Sequence, residues 1–207
     1  MNKLSKKILT ILIIIIIIII SLFITYKVSF EPKVQVTSIN SEVQVDTKNL
    51  LGKFIPKNVD LNLSGIKLES SASFSEEEIT NLIITFIKDN SIQSDKLKGL
   101  QTVINNDHLL LYINFDYKGI PLQAVINFTI SAENNSAVLH YNYGKVGFIN
   151  IPKSYIFDHI KDNSIISKEE ANNDIFISLY KNYGISIKEA NLNDSKLNFK
   201  FQLKFNF

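Results

Sequence analysis

The sequence predicts an α+β protein: a single N-terminal transmembrane helix, then a mostly antiparallel sheet of five to seven strands covered by two or three helices. Three observations carry that expectation. An almost unbroken apolar run covers Ile8 to Ile24, with eight consecutive isoleucines from Ile13 to Ile20. Segments that alternate apolar and polar residues, as half-buried strands do, recur through the second half and are separated by turn residues. Two capping boxes, the reciprocal Ser and Glu signature of a helix start, stand at Ser75 and Ser167.

The apolar run fixes the first element. Nineteen uncharged residues separate Lys7 from Lys27. At ~1.5 Å per helical residue they span roughly 28 Å, close to the ~30 Å hydrocarbon core. Within lipid every backbone N–H and C=O must be satisfied inside the segment, and a single span does that as a helix. Lys3, Lys6 and Lys7 precede the run, a bias that keeps this end in the cytoplasm and sends the rest of the chain outside. The apolar core exceeds the ~7–15 residues of a signal-peptide core. No small-x-small cleavage site follows it, and without cysteine there is no lipoprotein anchor. The expected organisation is a cytoplasmic tail (1–7), an anchor (8–26), a polar stem (27–60) and an extracytoplasmic α+β domain (61–207).

Within the stem, Val34/Val36 and Val43/Val45 alternate with polar residues, and Pro32 and Pro56 punctuate it. Asp60 to Leu68 alternates too, broken at Gly65, which predicts a bulged strand. The clearest helix begins at Ser75. Glu78 completes its capping box, Phe74 and Ile79 form a hydrophobic staple, and Ile79, Leu82, Ile83, Phe86 and Ile87 make one stripe ending near Asp89-Asn90. A meander of about four strands follows from Gln101 to Val146, with turns at Asn105-Asn106-Asp107, Lys118-Gly119 and Asn134-Asn135. Pro152 opens a short helix with Tyr155, Ile156 and Ile160 on its apolar side. Ser167 and Glu170 predict a longer helix carrying Ile175, Phe176, Leu179, Tyr180 and Tyr183, closed by Gly184. A terminal hairpin turns at Asn193-Asp194-Ser195. In its last strand Leu197, Phe199, Phe201, Leu203, Phe205 and Phe207 share one face.

From Gly119 to Lys161 the chain resembles the YpmS-like family, uncharacterised single-anchor proteins of low-GC bacteria. The residues that carry the resemblance are Gly119-Ile120-Pro121-Leu122 and the run Tyr143-Gly144-Lys145-Val146-Gly147-Phe148-Ile149-Asn150-Ile151-Pro152-Lys153-Ser154-Tyr155-Ile156. In them a strand ends in Gly-Lys, a short apolar link leads to Pro, and a helix follows. The order of anchor, helix, meander, Pro-helix and terminal hairpin is similar as well. The resemblance implies a location and a fold, and no activity.

Composition narrows the chemistry. The formal net charge is +2, which points to no strongly charged partner. All basic residues are lysine, so the arginine fork that reads guanine is missing and nucleic-acid binding is not expected. The absence of cysteine removes disulfides, thiol catalysis and thiolate metal sites together. His108, His140 and His159 have no mutual i, i+4 spacing, and the adjacent Asp107-His108 and Asp158-His159 pairs diverge on strand or helix, so no metal site is expected. No Gly-x-Ser-x-Gly, phosphate loop or His-Glu-x-x-His occurs. The acidic clusters Glu76-Glu77-Glu78 and Glu169-Glu170 read as helix caps.

Two features of the last strand remain. Lys196, Lys200 and Lys204 lie four apart on one face, roughly 13 Å between neighbours. They form a possible anion-facing surface for an envelope polymer or lipid headgroup, or a solvated row that discourages edge pairing. The apolar face is either closed core or an open groove for acyl chains. The expected function is a non-catalytic binding or scaffold domain of the bacterial envelope, held by its anchor in membrane lipid and requiring no cofactor. A lipid or lipid-linked polymer carrier and a hydrolase without a recognisable motif are the alternatives.

Overall fold

The structure, a computed structural model, describes residues 3–42, 52–56, 58–62, 65–89 and 96–206. Helix α1 spans Lys3–Ser29, and its stretch Lys7–Ser29 is long and apolar enough to cross a membrane. Its isoleucines are about half exposed on every side, so α1 takes no part in the core.

The remaining strands form two antiparallel sheets. The larger has eight strands: β1 (Thr37–Ser38), β4 (Leu97–Asn105), β5 (His108–Tyr117), β6 (Ile120–Glu133), β7 (Ser136–Val146), β8 (Ile149–Asn150), β9 (Ile166–Glu169) and β10 (Asp174–Ile177). Their order is β1-β4-β5-β6-β7-β10-β9, and β8 pairs with the end of β7. The smaller has four strands, β2 (Asn58–Asn62), β3 (Gly65–Ser75), β11 (Ile185–Asn193) and β12 (Lys196–Asn206), in the order β11-β12-β3-β2. The tight turns need φ > 0 at both central residues. Lys118-Gly119, Asn134-Asn135 and Asp194-Ser195 all supply it.

The two sheets share one core. Ala72, Phe74, Ile187, Leu197 and Phe201 come from the smaller sheet; Leu109, Ile126, Phe128, Tyr141 and Ile175 come from the larger. The Ile187 amide donates to the Asn135 carbonyl at 3.0 Å and ties β11 to the β6–β7 turn. Phe54 closes the interior, with its ring centroid 5.0 Å from that of Phe201.

Helix α2 (Glu76–Asp89) starts as its capping box predicts. The Glu78 amide donates to Ser75 Oγ at 3.2 Å, and the Ser75 amide donates to Glu78 Oε2 at 2.8 Å. The helix also finishes an exposed strand edge. Among the described residues β1 pairs with Gly99 and Leu100 of β4, and the Ile39 amide donates to the Lys98 carbonyl at 3.0 Å. Farther along the same edge the Thr102 amide donates to Thr80 Oγ1 (2.9 Å) and the Ile104 amide to Glu76 Oε1 (2.6 Å). Side chains of α2 thus take the place of a missing strand, which removes a template for edge pairing. The hydroxyl of Thr102, fully buried beneath this contact, is without a partner among the described residues.

The structure corrects the expected architecture in four places. The sheet of five to seven strands is two sheets of eight and four, and the smaller sheet supplies most of the cover assigned to helices. Gly65 opens a hairpin partner to β2 rather than a bulge, with Asn62 opposite Gly65; Leu63 and Ser64 lie outside the described residues. The helix expected from Ser167 to Tyr183 is instead β9, a 3₁₀ turn (Glu170–Asn172), β10 and the short α4 (Tyr180–Tyr183). The open edge of β7 explains this: Asp174, Ile175, Phe176 and Ile177 pair with His140, Leu139, Val138 and Ala137, and Asn173 at φ 64° makes the reversal. Gly184 does cap α4 in the left-handed conformation. In α3 (Lys153–Asp158) the fully buried residue is Phe157, while Tyr155 is exposed.

Candidate functional site

The first candidate is the junction between α1 and the domain. Part of the segment expected as a stem, up to Ile39, packs against the large sheet. Tyr26, in the last turn of α1, donates its phenol hydrogen to the Pro121 carbonyl at 3.0 Å. Three residues on, Ser29 and Phe30 meet the β7–β8 turn. Gly147 there has φ +60°, and a Cβ on it would come within 2.9 Å of the Phe30 ring. The Phe30 and Phe148 rings meet edge to face, centroids 4.9 Å apart. Gln123 then clamps the chain: its Nε2 donates to the Val34 carbonyl at 2.8 Å, and its Oε1 accepts from the Val34 amide at 3.2 Å. Ile39 is buried with Ile84 and Leu100. From Tyr26 to Ile39 the chain is therefore tied down at every few residues. Val43 and Val45 lie outside the described residues.

The second candidate is the row Lys196, Lys200 and Lys204. β12 lies between β11 and β3, so the row is on an interior strand and guards no edge. Lys200 is 3.1 Å from Glu189. Lys67 and Glu69, on the neighbouring β3, are 2.7 Å apart. Hydrogen bonds from Lys67 and Gln202 hold the Glu69 carboxyl below its usual range, so it stays ionised within the row. The surface thus alternates in sign, which weakens it as a ladder for an anionic polymer. The Lys204 side chain lies outside the described residues. The opposite face is core from Leu197 to Phe201: Leu197 and Phe201 are buried, and Phe199 packs on the same cluster. Phe205 and Phe207 fall outside the described side chains.

The third candidate was not visible in the sequence. A polar cleft of about 660 Å³ opens where the sheets meet, lined by Asn135, Tyr180, Lys181, Gly184, Ser186, Lys188 and Gln202. Lys188 occupies a bulge in β11 and donates to Asn135 Oδ1 at 2.6 Å. The cleft brings two lysines, a phenol and amide groups together from β6–β7, α4, β11 and β12. Such a set can hold an oxygen-rich or anionic group. Among the described residues that line it there is no carboxylate or histidine.

The histidines do not converge. His108 shares a hydrogen bond with Asn127 (3.0 Å), His159 with the Tyr155 carbonyl (2.7 Å), and His140 with Asp174 (2.7 Å). The last pair is cross-strand, which neither adjacent Asp-His dipeptide suggested. Among the described residues no group of three metal-ligating side chains assembles. Neither a protein-family model, nor a curated protein, nor a solved structure matches the chain.

Proposed function

We propose that this protein is a membrane-anchored binding or scaffold domain of the bacterial envelope, with α1 crossing the bilayer and the two-sheet domain on the extracytoplasmic side. The observation that carries the reading is α1 itself: an apolar helix bare of protein cover that ends directly on the domain. The lysines before the apolar run support an N-terminus in the cytoplasm. The resemblance to the YpmS-like family, whose members carry one anchor, belongs to the same reading. Within the domain, the cleft of Lys181, Lys188 and Tyr180 is a better-formed seat for an anionic envelope ligand than the sign-alternating row on β12.

The absence of cysteine makes the test direct. Single substitutions Ser5→Cys and Glu133→Cys are probed in intact bacteria with a membrane-impermeant maleimide. Glu133→Cys labels in intact cells and Ser5→Cys only after lysis. The reverse pattern, or recovery of the protein in a carbonate-soluble fraction, overturns the topology.

A further inference from the structure

One end of the large sheet carries a group of exposed apolar side chains, of which Phe148 also packs against Phe30. Tyr117 and Ile120 flank the β5–β6 turn, and Phe148 and Ile149 follow the β7–β8 turn; all four are about half exposed or more. In an antiparallel meander these two turns stand at the same end of the sheet. That end is where α1 arrives. Its depth relative to the span is set by three contacts: Tyr26 to Pro121, Phe30 to Phe148, and Ser29 against Gly147.

Helical side chains lean towards the N-terminus of their helix. The Tyr26 phenol therefore reaches back towards the bilayer from its own Cα, and Pro121 meets it there. By register, Ala124 of β6 stands opposite Val146, so Ile120 lies four residues past the end of β7. At ~3.3 Å per residue the β5–β6 turn projects roughly 13 Å beyond that point. The turn thus lies at or below the level of Tyr26, where the span gives way to headgroups. Tyrosines and lysines are the residues that partition to that layer. Lys118 stands in the turn over the Tyr117 ring, and Lys145 stands over the Tyr143 ring near the other turn. The nearby carboxylates are already engaged, Glu31 by Lys27 and Asp116 by Lys98.

We infer that this rim is a second membrane contact: Tyr117, Ile120, Phe148 and Ile149 seat in the headgroup layer of the bilayer that α1 crosses, with Lys118 and Lys145 meeting anionic lipid phosphates. The inference rests on the proposed anchoring by α1. It makes the domain lie on the lipid in a fixed pose instead of swinging on a tether.

The test uses the full chain reconstituted into phosphatidylcholine vesicles with and without phosphatidylglycerol. A polarity-sensitive fluorophore is attached to Ile120→Cys, Ile149→Cys or, at the opposite sheet end, Glu133→Cys. The two rim labels are expected to emit to the blue of the Glu133 label. A shallow lipid-borne nitroxide should quench them several-fold more, and aqueous iodide several-fold less. Phosphatidylglycerol should strengthen the lipid quenching, and the pair Lys118→Gln and Lys145→Gln should abolish that increment. Rim labels as open to iodide as the Glu133 label overturn the inference while leaving the anchor intact. Shielding from iodide without lipid quenching, together with dimeric sedimentation, assigns the rim to a second copy and overturns it as well. Protein that carbonate strips from the vesicles overturns both readings.

Discussion

The two ends of the large sheet solve one backbone problem with opposite chemistry. At the end away from α1, the β4–β5 and β6–β7 turns read Asn105-Asn106-Asp107-His108 and Glu133-Asn134-Asn135-Ser136. At the α1 end, the β5–β6 and β7–β8 turns read Tyr117-Lys118-Gly119-Ile120 and Val146-Gly147-Phe148-Ile149. Both ends place residues at positive φ, as tight turns demand. Asparagine and glycine meet that demand equally, so turn geometry does not explain why one end is polar and the other apolar. The difference follows what each end meets: α1 and the residues after it pack against the second end and not against the first.

The largest expected effect breaks this comparison at the anchored end. Gly147→Val places a β-branched side chain at φ +60° and drives it into Phe30. The backbone strain alone costs ~1–3 kcal/mol, and the steric conflict adds to it. Thermal unfolding should show a lower Tm, and proteolysis should release the segment after α1. Asn134→Gly at the other end should leave Tm unchanged or raised. Equal losses at the two positions would mean that α1 does not press on the β7–β8 turn.

A somewhat smaller effect asks whether the lateral edge of the sheet, like the end away from α1, is completed by the domain itself. Thr80→Val keeps the shape of a fully buried residue but takes the acceptor from the Thr102 amide. A buried unsatisfied donor costs about 1–3 kcal/mol. The shift in denaturant midpoint measures it, and a shift near zero would show that α2 does not seal β4.

Acid sharpens the contrast between turns held by backbone shape and a helix held by charge. Burial pushes the Glu78 carboxyl up, but hydrogen bonds from Lys53 and the Ser75 amide outweigh it, and the group sits below its ordinary value of 4.5. A carboxyl depressed in the folded state stabilises the fold above its unfolded pKa. That contribution fades as pH falls through the lower folded value. Tm should therefore drop on acidification from around the ordinary carboxylate value downward. Glu78→Gln, which can keep the capping hydrogen bond but loses the ion pair with Lys53 and a favourable charge at the helix start worth ~0.3–1 kcal/mol, should be less stable at neutral pH and flatter in acid. A parallel acid profile in both proteins would sink this account.

The smallest effect is the most diagnostic for the exposed rim. Ile120→Ser with Ile149→Ser, two exposed side chains, should change the stability of detergent-solubilised protein by no more than about 0.5 kcal/mol, as surface changes do. A large loss on unfolding would mean that these side chains serve the core, and the contrast between the two ends would need another cause.

How legible all this was depends on sequence distance. The α2 capping box joins residues three apart, and the turn at Asn134-Asn135 is read from two adjacent residues; both are local and both were visible. The pairing of β12 with β3 joins Lys196 to Ser75, and nothing in either strand names the other. The helix expected after Ser167 failed for a different reason. Ile175, Phe176 and Leu179 suit a helical stripe as well as a short strand, and the open edge of β7 decided for the strand. The lysine row was visible as one strand face, but Glu69 and Glu189 come from neighbouring strands and change its sign pattern. The anchor was legible as an unbroken run. Its seat was not, because Tyr26 and Pro121 stand 95 residues apart.

The pairing of β12 has a consequence in time. It follows β3 at long sequence distance and yet lies inside the four-stranded sheet, with β11 on one side and β3 on the other. While the chain emerges, β3 waits with an unfilled edge for more than a hundred residues, and the loop that must close is long and slow to close. Arrest of synthesis just before Lys196 would leave two unpaired edges and a chain prone to join its neighbours.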